Sequence, residues 1–230
     1  MKNAFGVIGG MGTAATETFI QTVNQLTAAQ QDQDYLDYIV FNHASIPDRT
    51  TYIFDTTQPD PLPALKTDVA QLNLLGVRFI VMTCNTAHYF LSELQKDSPV
   101  PIFSMPQIAV QACQSSTNKP LRVGIMATTG TIKANIYQTP LQVQHLTPVI
   151  PDDQQQAQIM SLIYQDIKAN HHVDSEKFHT LLNYFFETKH CDKVILGCTE
   201  LSVAQTAAPD CHLGVVDAQH ELARYVVAQY

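Results

Sequence analysis

Short apolar runs alternate along the chain with longer stretches in which apolar positions recur every three or four residues. The first run, residues 4–8 (AFGVI), reads as a buried strand; Gly9-Gly10-Met11-Gly12 follows it, and a helix is expected over 13–30. Residues 37–42 (DYIVFN) form a second strand that leads to a loop through Pro47-Asp48-Arg49-Thr50. A proline-rich connection over 58–63 precedes a helix that stops at Leu75-Gly76, because glycine readily takes the left-handed conformation that ends a helix. Residues 77–83 (VRFIVMT) make a third strand running straight into Cys84-Asn85-Thr86-Ala87-His88; another helix follows, then a short strand at 100–104 between prolines.

The second half repeats this order. A strand over 121–127 (LRVGIMA) ends in the turn Thr128-Thr129-Gly130-Thr131, and a strand at 146–150 precedes helices over 152–170 and 175–189. A strand at 193–197 runs into Cys198-Thr199-Glu200, and a last strand at 213–216 precedes a closing helix over 217–229. Continuously apolar strands set between helices point to parallel sheets covered on both faces. The expectation is an α/β protein of two pseudo-symmetric domains, each a mainly parallel sheet flanked by helices. Residues 1–104 plus 215–230 would form the first and 105–214 the second, with the active site in the cleft between them.

Composition narrows the class. Of 230 residues, 45% are hydrophobic and 15% charged, ample for a buried core and unlike a disordered chain. The net charge is −8 with 13 basic residues scattered singly, so no basic stripe exists to take a nucleic acid. The longest apolar runs are far too short to span a bilayer, and the opening MKNAFGVIGGMG has no signal-peptide apolar region. A cytoplasmic location with no membrane partner is expected. Five cysteines without a CxxC pair, and histidines without an HExxH, suggest neither a disulfide framework nor a metal site.

The cysteines then carry the argument. A cysteine in apolar surroundings is by default a small buried hydrophobe, and Cys113, Cys191 and Cys211 read as core. Cys84 and Cys198 differ. They lie 114 residues apart, almost half the chain, each where a strand's carboxyl end meets a helix. That rim is where open parallel sheets place ligands, and a helix N-terminus there favours a thiolate. A hydrolase would use one thiol with a histidine and leave the second unexplained. A redox pair needs bonding distance, which a substrate-wide cleft denies. Proton abstraction from carbon uses both, one thiolate removing a proton from one face while the other thiol donates to the opposite face.

Other polar positions cluster around the same rim. Gly10-Met11-Gly12-Thr13-Ala14-Ala15 matches GxGxxA after a strand, a weak dinucleotide fingerprint, but the acidic residue expected after the next strand is replaced by Asn42-His43-Ala44. Met11 and Gly12 are better read as turn amides for a carboxylate, with Thr128 and Thr131 as their counterparts in the second half. An isolated Arg or Lys is ordinarily a solvated surface residue. Arg49 gains weight because it follows a strand end on the rim and suits bidentate carboxylate recognition. Lys168, near a helix end, does not stand out by itself. His88 either orients the Cys84 thiol or is a hydrogen-bonded structural histidine, and Glu200 either holds a substrate ammonium or caps its helix.

At these residues the chain resembles the aspartate/glutamate racemase family, aspartate racemase branch. The matching segments are Gly6-Val7-Ile8-Gly9-Gly10-Met11-Gly12 with Ala14-Ala15-Thr16, Pro47-Asp48-Arg49-Thr50, Cys84-Asn85-Thr86-Ala87-His88, Ala127-Thr128-Thr129-Gly130-Thr131 and Leu196-Gly197-Cys198-Thr199-Glu200. The resemblance implies a cofactor-independent amino-acid racemase, PLP-free and a homodimer, acting on a small-molecule amino acid. It implies Cys84 and Cys198 as the two proton-transfer bases and Asn85, Thr86 and Thr199 as ligands of the α-carboxylate and amine. Arg49 and Lys168 would flank the substrate carboxylates, the Lys168 match resting on Ile163-Tyr164-Gln165-Asp166-Ile167 before it. Thr13 departs from the family's usual proline. The glutamate branch opens instead with Asp-Ser and reads Cys-Thr-His at its second thiol, and the related decarboxylases keep one thiol. The expected activity is therefore racemisation of an acidic amino acid, aspartate first. A glutamate or broad-specificity racemase, or a non-catalytic amino-acid sensor on the same fold, stands as the alternative.

Overall fold

The computed structural model of the protein describes residues 3–114 and 120–230. Among the described residues the chain forms two four-stranded parallel sheets. The first contains β1 (Phe5–Gly9), β2 (Tyr38–Asn42), β3 (Ile80–Met82) and β4 (Ile102–Phe103), in the order β2-β1-β3-β4. The second contains β5 (Arg122–Met126), β6 (Thr147–Val149), β7 (Lys193–Leu196) and β8 (Val215–Asp217), in the order β6-β5-β7-β8. The two orders are the same, so the halves are topological copies, as the repeated strand pattern predicts.

Helices α1 (Thr13–Leu26), α2 (Arg49–Phe54), α3 (Leu62–Leu74), α4 (Leu91–Lys96) and α5 (Met105–Ala112) belong to the first half of the chain. The second half supplies α6 (Thr129–Lys133), α7 (Gln138–Val143), α8 (Asp153–Ser161), α9 (Ser175–Asn183), α10 (Thr199–Ala207) and α11 (Ala218–Val227). Alternate side chains of each strand face opposite ways, which builds a layered core. Phe5, Val7, Phe79 and Val81 face one cluster that also takes Val123, Ile125 and Ile195 of the second sheet, with α1, α5 and α11 between. Ile8, Ile80 and Met82 face away from it, onto α3 and α4. In the second half, Val194 and Leu196 face α8 and α9 in the same manner. The two halves therefore share one core, and their relative position is set by packed apolar side chains. Among the described residues no helix is long and apolar enough to cross a membrane.

Several boundaries differ from the sequence reading. The first helix ends at Leu26, not near residue 30, and the third strand is Ile80–Met82 alone. Residues 47–50, read as loop, contain the start of α2, because the Asp48 side chain caps it by accepting from Thr51 N at 2.7 Å. The helices expected over 152–170 and 175–189 each change pitch part-way: α8 continues as a wide π-helical segment, Leu162–Ala169, and α9 as another, Tyr184–Thr188. Gly76, with φ +74°, ends α3 as expected. The segment 215–230, placed with the first half, divides: β8 joins the second sheet, while α11 packs on α1, α5 and α10. Cys211 is exposed and not core, because it lies in the loop between α10 and β8.

Candidate active site

In both sheets the chain leaves the first strand to one side and returns to the other, so a crevice opens at the carboxyl ends of the two central strands. Those strands are β1 and β3 in one half, β5 and β7 in the other. Met11 and Cys84 follow the first pair, and Thr128 and Cys198 follow the second. Strand order thus explains why the repeated motifs meet.

The loop after β1 depends on glycine. Gly10 has φ +83°, and a β-carbon there would lie 2.5–2.6 Å from the backbone of His43 and Ala44. The turn is fastened by Thr16 of α1, whose hydroxyl accepts from Gly10 N at 3.0 Å, donates to Gly12 O at 2.9 Å and bonds the Thr83 hydroxyl at 3.0 Å. Thr83 precedes Cys84, so Thr16 ties the glycine turn to the first thiol loop. Across the cleft, the Thr86 hydroxyl bonds those of Thr128 (3.1 Å) and Thr131 (2.9 Å), tying the two halves together.

Cys84 and Cys198, each 6% exposed, face one small cavity of about 10 Å³. Of the residues singled out from the sequence as catalytic, substrate-binding or thiol-orienting, all line it except Gly12, His88 and Thr131. Gly12 lies on an adjoining open pocket of about 400 Å³, which shares Met11, Asp48, Arg49, Lys168 and Glu200 with the cavity. Thr131 sits one layer back, where its backbone N–H and hydroxyl bond the Thr128 hydroxyl at 3.2 and 3.1 Å. Asp48, Thr50 and Tyr164 also line the cavity and were not singled out. Tyr164 Oη donates to Asp48 Oδ2 or Thr50 Oγ1, both at 3.3 Å, and burial pushes its pKa up to about 12, so it stays a neutral donor. Its sequence signal was its spacing four residues before Lys168, which stacks on its ring at 4.6 Å.

Each thiol has its own electrostatic neighbour. Cys198 is the N-cap of α10, but its environment is not the thiolate-stabilising one expected of a helix start. Its Sγ donates to Glu200 Oε2 at 2.9 Å, and burial, then the Glu200 carboxylate, push the thiol's pKa well above the ordinary range. Glu200 is only 4% exposed and pairs with Lys168 Nζ at 3.4 Å. Burial opposes the Lys168 charge, but Glu200 and the sulfur of Cys198 outweigh it and raise its pKa. Lys168 comes from the π-helical segment after α8, a wide turn of the kind often found at functional sites.

On the opposite wall stands Arg49, 7% exposed at the first position of α2. Burial again opposes its charge, and the sulfur of Cys84 and the Asp48 carboxylate outweigh it. Its fork is not free, as the sequence reading supposed: Nη1 donates to Ile46 O (3.2 Å) and Pro47 O (2.9 Å), and Nη2 to Met11 O (3.2 Å). Buried Nε and the buried Nδ2 of Asn85 have no partner among the described residues. Buried donors without acceptors are costly, so these two mark where an incoming acceptor atom would be stabilised. His88 does not touch the thiol. Its Nδ1 donates to Cys84 O at 2.9 Å and its Nε2 accepts from Met105 N at 3.2 Å, an arrangement open only to the neutral ring; burial lowers its pKa to about 4. No group of three His, Cys, Asp or Glu side chains among the described residues is placed to hold a metal ion.

Comparison with known proteins covers the same span. A family model described as Asp/Glu/Hydantoin racemase matches residues 8–226. The broad specificity amino-acid racemase RacX of Bacillus subtilis (strain 168) is 26% identical over 231 residues, 98% of this chain and 97% of that protein. A glutamate racemase of Aquifex aeolicus (strain VF5) is 39% identical over a shorter stretch of 69 residues, 29% of this chain and 26% of that protein. Among solved structures, the Picrophilus torridus aspartate racemase superposes with a TM-score of 0.82 at 27% identity, covering 99% of this chain and 94% of that one.

Proposed function

The chain belongs to the Asp/Glu/hydantoin racemase family and is an isomerase, and from that premise we propose that it racemises an acidic amino acid, aspartate first, with two cysteines and no PLP. The observation that carries this reading is the convergence of Cys84 and Cys198, from equivalent strand ends of the two halves, on one small cavity. One thiolate removes the Cα proton and the electron pair delocalises into the α-carboxylate. The other thiol delivers its proton to the opposite face of Cα, which inverts the centre. The sulfurs leave the cycle with their protonation exchanged and reset through solvent. Cys198, held as a thiol by its bond to Glu200, is the donor in the direction in which Cys84 abstracts.

The negative charge that builds on the carboxylate meets a donor already in place. Arg49 Nε, without a partner among the described residues, need not reorganise to meet it, and such preorganisation is where these sites draw most of their rate, while Asn85 Nδ2 holds the carboxylate alike in the ground and transition states. A cavity of about 10 Å³ holds about one water. An amino acid enters when the Lys168–Glu200 pair, shared with the 400 Å³ outer pocket, parts. A freed Lys168 then meets the substrate side-chain carboxylate.

One feature favours a second reading, broad specificity. Arg49 spends three bonds on backbone carbonyls, and Glu200 puts a negative charge where an acidic side chain would lie. The experiment that separates these readings is a panel of L-amino acids incubated with the protein in D2O. Aspartate alone incorporating deuterium at Cα, with loss of optical rotation, supports the acidic substrate. Equal exchange across neutral and basic amino acids supports breadth. A chain that exchanges nothing is a binder on the racemase fold and ends the proposal.

A further inference from the structure

Tyr137 was not among the residues singled out, and it lies outside the cavity. It precedes α7 in the core shared by the two halves and is wholly buried. Its Oη donates to Asn85 Oδ1. Burial, with the nearby Cys113, Asp217 and Cys198 adding to it, raises its pKa well above the ordinary phenol, so the O–H is kept as a donor. Asn85 is 2% exposed and lines the cavity, and its Nδ2 has no partner among the described residues. A flipped amide would leave the phenol proton without an acceptor and turn a carbonyl oxygen toward the anion-binding side. The same ring abuts the second thiol loop: a β-carbon at Gly197 would lie 2.8 Å from it. One phenol therefore touches the residue after Cys84 and the residue before Cys198.

We infer that Tyr137 is a positioning residue of the site, its hydroxyl holding the Asn85 amide so that the N–H2 end is presented to the carboxylate of the substrate. This rests on the amino-acid reading above. A wild-type chain without exchange in D2O would remove that reading before any variant is made, whereas the inference is tested on an active wild type. Tyr137→Phe deletes only the hydroxyl. It should raise KM for the best substrate about tenfold, the cost of one misdirected hydrogen bond, while kcat falls less than about threefold. A purely structural role would lower the amount of folded protein without moving KM. In an Asn85→Ala background the same change should have no further effect on KM, because Tyr137 acts through Asn85. An unchanged KM for Tyr137→Phe, or an equal loss in both backgrounds, overturns the inference. If Tyr137→Phe does not fold, Asn85→Asp decides with the tyrosine in place: it keeps an acceptor for Tyr137 and removes the N–H2. A rise in KM at an unchanged thermal midpoint supports the assignment; an unchanged KM refutes it.

Discussion

The Lys168–Glu200 pair lines both the cavity and the adjoining outer pocket, and its strength can be worked from the structure. At 3.4 Å and an effective dielectric of about 20, opposite unit charges attract by about 5 kcal/mol, before the cost of taking them out of water. Glu200 is almost fully buried (side chain 5% exposed) while the Lys168 side chain keeps 26% exposure, so solvent screens one end. Removing Lys168 alone strands a buried carboxylate beside the Cys198 thiol, which costs about 3 kcal/mol, the lower end for a broken buried pair. Lys168→Met should therefore lower the thermal midpoint by about 6–12 °C in a chain of this size. Glu200→Gln should cost less, and the double variant should be more stable than the sum of the singles requires. Urea unfolding of the four proteins at pH 7 measures the coupling. Lys168 has its pKa raised from 10.5, so its contribution is fully present below about pH 10.5 and is lost as pH rises through the raised value; pH 7 and pH 9 must agree. Strictly additive losses, or a coupling that changes between those pH values, would refute the reasoning.

Acid should act through His88. Its pKa is lowered from 6.5 to about 4 by burial, so its contribution is present above pH 6.5 and is lost as pH falls toward 4; the loss reaches about 3 kcal/mol. Urea midpoints measured across that window should fall less steeply in His88→Gln than in the wild type. Thiol labelling should separate the cysteines: iodoacetamide mapped by mass spectrometry should modify exposed Cys211 first, with activity retained. Cys113, fully buried and with its thiol pushed up to about 12, should react only on unfolding.

The architecture was legible because the strands are short apolar runs with turn residues at fixed places, and because the motif after β3 recurs after β7. Parallel order and a shared rim follow from that repeat. The helix boundaries were less legible. A change from α to π pitch inside Leu162–Ala169 leaves no mark in a pattern of apolar positions three or four apart, and α2 is shorter than the window in which periodicity can be read. The cavity wall divided in the same way. Cys84, Asn85, Cys198 and Glu200 carry chemistry-bearing side chains beside strand ends and could be picked out. Tyr164 and Tyr137 reach the site from elements far along the chain, and an aromatic at a helix position reads as core, which Tyr137 also is. Arg49 could be placed on the rim, but that its fork is spent on Ile46, Pro47 and Met11 carbonyls is a property of backbone folding with no counterpart in the sequence pattern.

The two-base account stands or falls on single cysteine variants assayed with aspartate in D2O. Cys84→Ala and Cys198→Ala each remove the proton acceptor or donor on one face while leaving every other cavity residue in place. The account predicts that both remain folded and that neither interconverts the enantiomers at a measurable fraction of the wild-type rate. Racemisation at the native rate by either variant would contradict it.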